Sequence, residues 1–276
     1  MNTKDIYREL AQKIRAHAVM MTNLRHSGHV GSSLSMADIL AVLYQTTLAV
    51  DPKNPGWEER DRFILSKGHA AAGVYAALAE KGFIPREWLR TYYCDDGKLC
   101  GHISHHVPGA EFSTGSLGHG LPVAVGMALA ARMAGRKHRV IVLMSDGDCN
   151  EGSTWESIMF AAQQDLDNLT VIVDYNRVQA LGKSKDIIDL EPLGKKIQEF
   201  GWAVKEIDGH DVGQIESALS VLPFHRGKPS FLIARTVKGK GLKAMEDTVG
   251  CHYQCVPDDG LSAAYKELGV EYEIDI

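Results

Sequence analysis

Ser145-Asp146-Gly147-Asp148-Cys149-Asn150-Glu151-Gly152 and, a helix length later, Leu166-Asp167-Asn168-Leu169-Thr170-Val171-Ile172-Val173-Asp174-Tyr175-Asn176-Arg177-Val178 decide how this chain is read. Val140 to Met144 is an apolar run that ends in an acidic residue and a glycine, and Val171 to Val173 ends in Asp174 and Asn176. In a parallel sheet with helical crossovers, both strands deliver their terminal oxygens to the same carboxyl edge, where such sheets bind ligands. A carboxylate, an amide oxygen and a backbone carbonyl suit Mg²⁺ or Ca²⁺, with waters and a ligand's phosphates completing the shell. Asp-Gly after a strand is by itself often only a turn, and Asp174 or Asn176 can equally cap the segment that follows. The ordered set of strand, Asp-Gly, Glu151, helix, Leu-Asp-Asn-Leu, strand and Asn goes beyond a turn.

Around this centre the pattern alternates. Ile6, Leu10, Ile14, Ala18 and Met21 recur at near-helical spacing and predict a helix over 4–24. Gly28 to Ser33 reads as a glycine- and serine-rich loop, with Ser35 as the N-cap of a helix through Met36, Ile39, Leu40 and Leu43. Asp51 to Pro55 is a turn, Arg62 to Leu65 a short buried strand and Ala70 to Lys81 a helix. Cys94 to Gly120 is long, irregular and rich in glycine, histidine and serine, which inside a compact domain usually means function. A small-residue helix over Leu121 to Met133 follows. Beyond it come strand 139–144, helix 153–165, strand 170–174, a loop with Pro192, helix 193–200, strand 202–207, helix 212–221 capped by Asp211, and strand 230–234 before Lys238-Gly239-Lys240-Gly241. Strands alternating with helices predict an α/β fold, a doubly wound and mostly parallel sheet flanked by helices. No repeat or linker interrupts it, so one domain over residues 1–276 is expected.

The 276 residues, 45% hydrophobic and 24% charged, are ample for one large core. A net charge of −5 gives no electrostatic case for nucleic acid. No apolar stretch approaches the roughly 20 residues that span a bilayer, and the acidic-containing amphipathic start argues against a signal peptide. Cys94, Cys100, Cys149, Cys251 and Cys255 are odd in number and scattered, so ordinary thiols in a reducing cytoplasm are expected.

Five of the twelve histidines directly follow glycine: His29, His69, His102, His119 and His210. About one would be expected at the chain's glycine frequency. Glycine permits unusual backbone angles and close ligand approach, and imidazoles donate to phosphates and carry protons near neutral pH. A lone Gly-His is usually a turn. His17, His26, His138 and His225 are assigned to such ordinary positions, and His119 and His210 stand between the two readings. Ser66-Lys67-Gly68-His69-Ala70 at a helix start suits an anion, which meets free N–H groups there.

Four motifs together resemble transketolase: Ser27-Gly28-His29-Val30-Gly31-Ser32, Asp61-Arg62-Phe63-Ile64-Leu65-Ser66-Lys67-Gly68-His69, Ser113-Thr114-Gly115-Ser116-Leu117-Gly118-His119-Gly120 and the Asp146 to Asn176 segment. They fall in that family's order and cover nearly the whole chain. The last is similar to the thiamine-diphosphate motif, with Ser145 standing where the family has glycine. Cys251-His252-Tyr253 stands where the family often has Trp-His-Gly.

The resemblance implies thiamine diphosphate as cofactor, with Mg²⁺ (or Ca²⁺ or Mn²⁺ in its place) held by Asp146, Asn176 and the carbonyl of Val178. It implies that Gly147 lets the backbone approach the diphosphate and that His69 and His252 donate to the diphosphate or line the site beside the thiazolium. Lys67 and Lys238 become cationic candidates there, and Gly115 to Leu117 face the aminopyrimidine. His29, His102 and His252 become the catalytic set, with His29 and His102 holding the donor's hydroxyls and shuttling protons. Glu151 is placed at the subunit contact beneath the cofactor. About two dozen residues follow Cys251-His252, against the roughly 50 that a further domain needs. The chain therefore resembles the N-terminal, diphosphate-binding subunit of a split transketolase. That reading expects a separate C-terminal pyrimidine-domain subunit, a heterotetramer of two of each chain, and sugar phosphate substrates, with no nucleic acid and no membrane. A deoxyxylulose-phosphate-synthase-like or 2-oxo-acid dehydrogenase subunit shares the cofactor, and a non-catalytic regulatory subunit is the reading from a different class. Ser-Gly-His and Lys-Gly-His-Ala favour the sugar enzyme, because a sugar donor requires those imidazoles.

Overall fold

Valine- and isoleucine-rich runs buried on both sides belong in the middle of a parallel sheet, and that is where they lie. The structure, a computed structural model, describes residues 2–271. Met1 and residues 272–276 of the expected 1–276 unit lie outside the described residues. Among the described residues, β1 (Arg62–Leu65), β2 (Val140–Ser145), β3 (Leu169–Tyr175), β4 (Ala203–Asp208) and β5 (Ser230–Arg235) form one sheet in the order β1-β2-β3-β5-β4. All its neighbours are parallel. Every residue of β2 and β3 is buried.

Successive strand residues point to opposite faces, and the two faces have separate cores. Ile141, Leu143, Ile172 and Leu232 pack with α1 (Thr3–Leu24), α3 (Ala37–Val42), α4 (Ala71–Lys81) and α9 (Val212–Leu219). The second helix, α2 (Val30–Ser35), leads into α3 on the same side. Val140, Val142, Met144, Val171, Val173 and Phe231 pack with α5 (Gly120–Met133), α6 (Gly152–Gln163) and α8 (Leu193–Glu199). The short α7 (Ser184–Ile187) follows β3, and α10 (Leu261–Leu268) packs on α1. The doubly wound sheet flanked by helices is therefore the observed fold. Asp211 caps α9 as expected, accepting from the amides of Gly213 and Gln214 at 2.9 and 3.2 Å. No helix among the described residues is long and apolar enough to cross a membrane.

Two local expectations fail together. The Gly28 to Ser33 loop stops at His29, and Val30–Ser35 is helical with all six residues buried. Ser35 is consequently the last residue of α2 and caps nothing. Its Oγ donates instead to the Asp174 carboxylate at 2.5 Å. His17 also departs from a turn position, lying buried on α1 with its Nε2 2.9 Å from Glu80 Oε1.

The long irregular segment is pinned at the β1–α4 turn. Thr114 Oγ1 donates to Leu65 O at 2.6 Å, and the Ile103 amide donates to Gly68 O at 3.0 Å. Gly68 is the contact surface: a Cβ there would lie 2.1 Å from the Thr114 carbonyl oxygen. Gly68→Ala should therefore destabilise the chain by about 1–3 kcal/mol through overpacking against backbone. A lowered urea midpoint checks this, and an unchanged midpoint would contradict the packing described.

Candidate active site

The carboxyl ends of four strands meet around one cavity. β2 and β3 are in register with Ser145 opposite Asp174, so Asp146 and Asn176 emerge side by side. β5 ends at Arg235 opposite Tyr175 and continues through Thr236 to Lys238, while β1 runs into Ser66, Lys67 and His69. The cavity measures about 330 Å³. It is lined by His29, His69, His102, Gly115, Leu117, Asp146, Gly147, Asn176, Val178, Lys238 and His252, together with Ser32, Ser145, Gln179, Ala180 and Leu181.

Two of the singled-out residues lie elsewhere. Lys67 is fully buried beneath the cavity, where its ammonium pairs with Asp174 and donates to Ser32 O at 2.9 Å. Glu151 is exposed, at the N-cap of α6 and outside the cavity lining. His119 is likewise exposed and outside it, and His210 stands behind it.

Ser145 explains how this chain does without a glycine at that point. Its Oγ accepts from the Asp148 amide at 3.2 Å and lies 2.8 Å from Asp148 Oδ2, which also accepts from the Ser145 amide at 2.8 Å. This reciprocal cap closes the short 3₁₀ turn Asp146–Asn150. Asp148 Oδ1 then accepts from Ser66 Oγ at 2.6 Å and from the Gly118 amide at 2.9 Å, tying three loops together. Asp148 was not singled out by the sequence, although it stands two residues from Asp146. Ser184, whose Oγ donates to Asp146 Oδ2, carries no local signal at all, being 38 positions away.

The four imidazoles form a cluster. His29 has ring centroids 4.9 Å from His252, 5.2 Å from His69 and 5.7 Å from His102, and His69 is 5.5 Å from His252. His29 adopts φ 72° and its amide donates to the His252 carbonyl at 2.8 Å, which holds the two loops together. Burial lowers the basicity of all four, and neighbouring positive charge adds to this for His29, His69 and His252. His252 is pushed down to about 4. Lys238 donates to Val178 O at 2.9 Å and lies 3.0 Å from His252 Nδ1, and burial lowers its ammonium to about 8.

The oxygens of Asp146, Asn176 and Val178 at the strand ends are of the kind that suits a hard cation, with the Val178 carbonyl here accepting from Lys238 and the Asn176 amide oxygen from the Val178 amide. Burial raises the Asp146 carboxyl; the Ser184 bond opposes this and the nearby Asp174 charge adds to it. A cation beside it relieves both the burial and the repulsion. Among the described residues no group of three or more His, Cys, Asp or Glu is placed to hold a metal. An ion here must take amide, carbonyl and ligand oxygens, which suits Mg²⁺ better than a zinc-type ion.

The transketolase thiamine diphosphate binding domain model matches residues 6–275. The chain belongs to the transketolase family. It is 44% identical over 268 residues to one subunit of the apulose-4-phosphate transketolase of Actinobacillus succinogenes, covering 95% of this chain and 96% of that one. It is 42% identical over 245 residues to a 6-deoxy-6-sulfo-D-fructose transketolase subunit of a Clostridium species, covering 88% and 89%. Among solved structures it is similar to transketolase from Campylobacter jejuni, with a TM-score of 0.92 and 33% identity. That match covers 98% of this chain and 44% of the other, so this transketolase-family chain spans less than half the length of that one.

The lowered imidazoles set a pH dependence. Below an ordinary histidine value of 6.5 the unfolded chain takes up protons that the folded cluster refuses, down to about 4 for His252. Stability therefore rises with pH through that window and is lost on acidification. Thermal unfolding followed from about pH 7 to about pH 5 should show a falling midpoint, and His252→Gln should shrink the fall. An equal fall in the variant would contradict the assignment of the effect to this cluster.

Proposed function

We propose that this chain is the diphosphate-binding subunit of a two-chain transketolase that moves a two-carbon ketol unit from a ketose phosphate to an aldose phosphate. The observation that carries the reading is the convergence, in one cavity, of four weakly basic histidines with the oxygens of Asp146, Asn176 and Val178. We assign the whole chain to one diphosphate-binding domain. It acts in the cytoplasm, where free thiols persist, and forms a heterotetramer with a C-terminal pyrimidine-domain subunit, two copies of each. The names of the subunit relatives support the need for a partner. Those names specify different sugars, so the sugar of this chain is not inherited from either.

The residues divide by task. Asp146, Asn176 and the Val178 carbonyl would hold Mg²⁺, and Gly147 would leave room for close backbone approach to the cofactor's diphosphate. His69, at the start of the turn leading into α4, and Lys238 meet the negative charge. Gly115 and Leu117, on the cavity wall, would face the aminopyrimidine. When bound, thiamine diphosphate would supply the electron sink that carbon–carbon cleavage needs. His29 and His102 orient the sugar hydroxyls and carry protons to and from them. Their neutral state near pH 7 leaves a ring nitrogen free to accept. His252 completes the wall beside the reacting carbon. Glu151, exposed on this chain, is assigned to the subunit contact.

A purified single chain should show no ketol transfer, and mixing with the pyrimidine-domain subunit should restore it; turnover by the chain alone would contradict the division of labour. In the reconstituted enzyme, His29→Ala or His102→Ala should lower turnover by about 10²–10⁴, the range for a positioned acid–base group, with cofactor affinity nearly intact. His69→Ala should instead raise the cofactor requirement. Steady-state kinetics at saturating cofactor separates the two. Near-wild-type turnover in both His29→Ala and His102→Ala would place the substrate elsewhere.

A further inference from the structure

Gly209-His210-Asp211 has a position that the cavity does not account for. His210 Nε2 accepts from the Val237 amide at 2.9 Å, and Nδ1 lies 2.8 Å from Asp38 Oδ2. A ring nitrogen that accepts a backbone N–H carries no proton, so the proton is on Nδ1 and is donated to Asp38. Asp38 is held in turn by both terminal nitrogens of Arg15, at 3.2 and 2.5 Å, and Arg15 Nε donates to Leu34 O at 3.2 Å. Burial alone raises the Asp38 carboxyl, and Arg15 with His210 outweighs it, so the pair remains ionised. One imidazole orientation is thereby fixed from α1 and α3.

The amide it holds belongs to the residue before Lys238. The segment leaving β5 is tied on either side of Val237, by the Thr236 hydroxyl on Asp174 before it and by the Gly239 amide on Gly31 O at 3.0 Å and the Asp247 amide on Lys238 O at 2.9 Å after it. Val237 itself is only half-buried, and its amide is the link held by His210. Gly239 and Gly241 take positive φ, at 78° and 98°, and Lys238 reaches two cavity groups, Val178 O and His252 Nδ1. Gly209 lets the two segments meet: its amide donates to Arg235 O at 2.7 Å, and a Cβ there would lie 2.4 Å from Thr236 Cγ2. We propose that His210 is a positioning residue for Lys238, its Nε2 fixing the Val237 amide so that the Lys238 ammonium stays on the cavity wall.

Two variants separate the two ring nitrogens. His210→Asn places an amide where Nδ1 stood and keeps the Asp38 bond, but it falls short of Val237. His210→Gln places its amide oxygen where Nε2 stood and keeps the Val237 bond. The Val237 amide, resolved by NMR hydrogen exchange, should exchange at least about tenfold faster in His210→Asn and near the wild-type rate in His210→Gln. Exchange in β2 and β3 should be unchanged in both. A second readout rests on the function proposed above. In the reconstituted enzyme, His210→Asn should raise the thiamine diphosphate requirement about tenfold with saturated turnover kept, and should add nothing to Lys238→Met. Unchanged Val237 exchange in His210→Asn, faster exchange in His210→Gln than in His210→Asn, or an effect fully additive with Lys238→Met would each overturn the proposal. If exchange rises while Lys238→Met itself leaves the cofactor requirement unchanged, His210 still positions the segment, and only the cofactor role of Lys238 falls.

Discussion

The buried pair between Lys67 and Asp174 is what the site depends on. Both side chains are fully shielded from water. Burial raises the Asp174 carboxyl, and the Lys67 charge with the surrounding hydrogen bonds overcomes this and keeps it ionised. Its oxygens receive Lys67, Ser35 Oγ, Thr236 Oγ1 and Asn176 Nδ2. These donors come from the end of α2, the β1–α4 turn, the exit of β5 and the exit of β3. Each lies a few residues from a cavity group: His29 begins α2, His69 follows Lys67, Lys238 follows Thr236, and Asn176 lines the cavity itself. One carboxylate therefore sets the relative positions of four loops. Removing either partner of such a pair strands a buried charge, at a cost of about 3–5 kcal/mol.

A second carboxylate repeats the arrangement on the other side of the strand ends. Asp148 joins Ser66, Gly118 and Ser145, which fixes the Asp146–Asn150 turn against the loop that carries Leu117. Asp146 is left differently placed, buried but facing the cavity, with its charge incompletely compensated. Asp148 and Asp174 serve the scaffold, whereas Asp146 lines the cavity. Around it burial opposes the charging of all four histidines, and neighbouring positive charge adds to this for His29, His69 and His252; the proton-carrying role proposed for His29 and His102 uses that neutral form.

The strands were legible because a strand buried on both faces must be apolar throughout, as Val140 to Met144 and Val171 to Val173 are. Their order also placed Asp146 and Asn176 at one edge. Helix α2 was not legible: Val30-Gly31-Ser32-Ser33-Leu34-Ser35 has the composition of a loop, and complete burial overrides its weak propensity. For the same reason Ser35 looked like a cap when it is a partner of Asp174. Lys67 was read as a cationic candidate for the cofactor because nothing in its neighbourhood names Asp174, 107 positions away, as its partner. His210 could not be separated from a turn histidine, since its two partners, Asp38 and Val237, are contributed by other elements. The residues that converge from their own strand ends were readable, whereas those defined by a distant partner were not.

The central claim is that the oxygens at the ends of β2 and β3 bind the cation that anchors the diphosphate. Calorimetric titration of thiamine diphosphate into the reconstituted enzyme, with Mg²⁺ and after chelation, tests it directly in wild type and Asp146→Ala. The account predicts tight, Mg²⁺-dependent binding in the wild type, and weak binding indifferent to Mg²⁺ in the variant, with the fold of the variant retained. An Asp146→Ala enzyme that bound with wild-type affinity and the same Mg²⁺ dependence would contradict it.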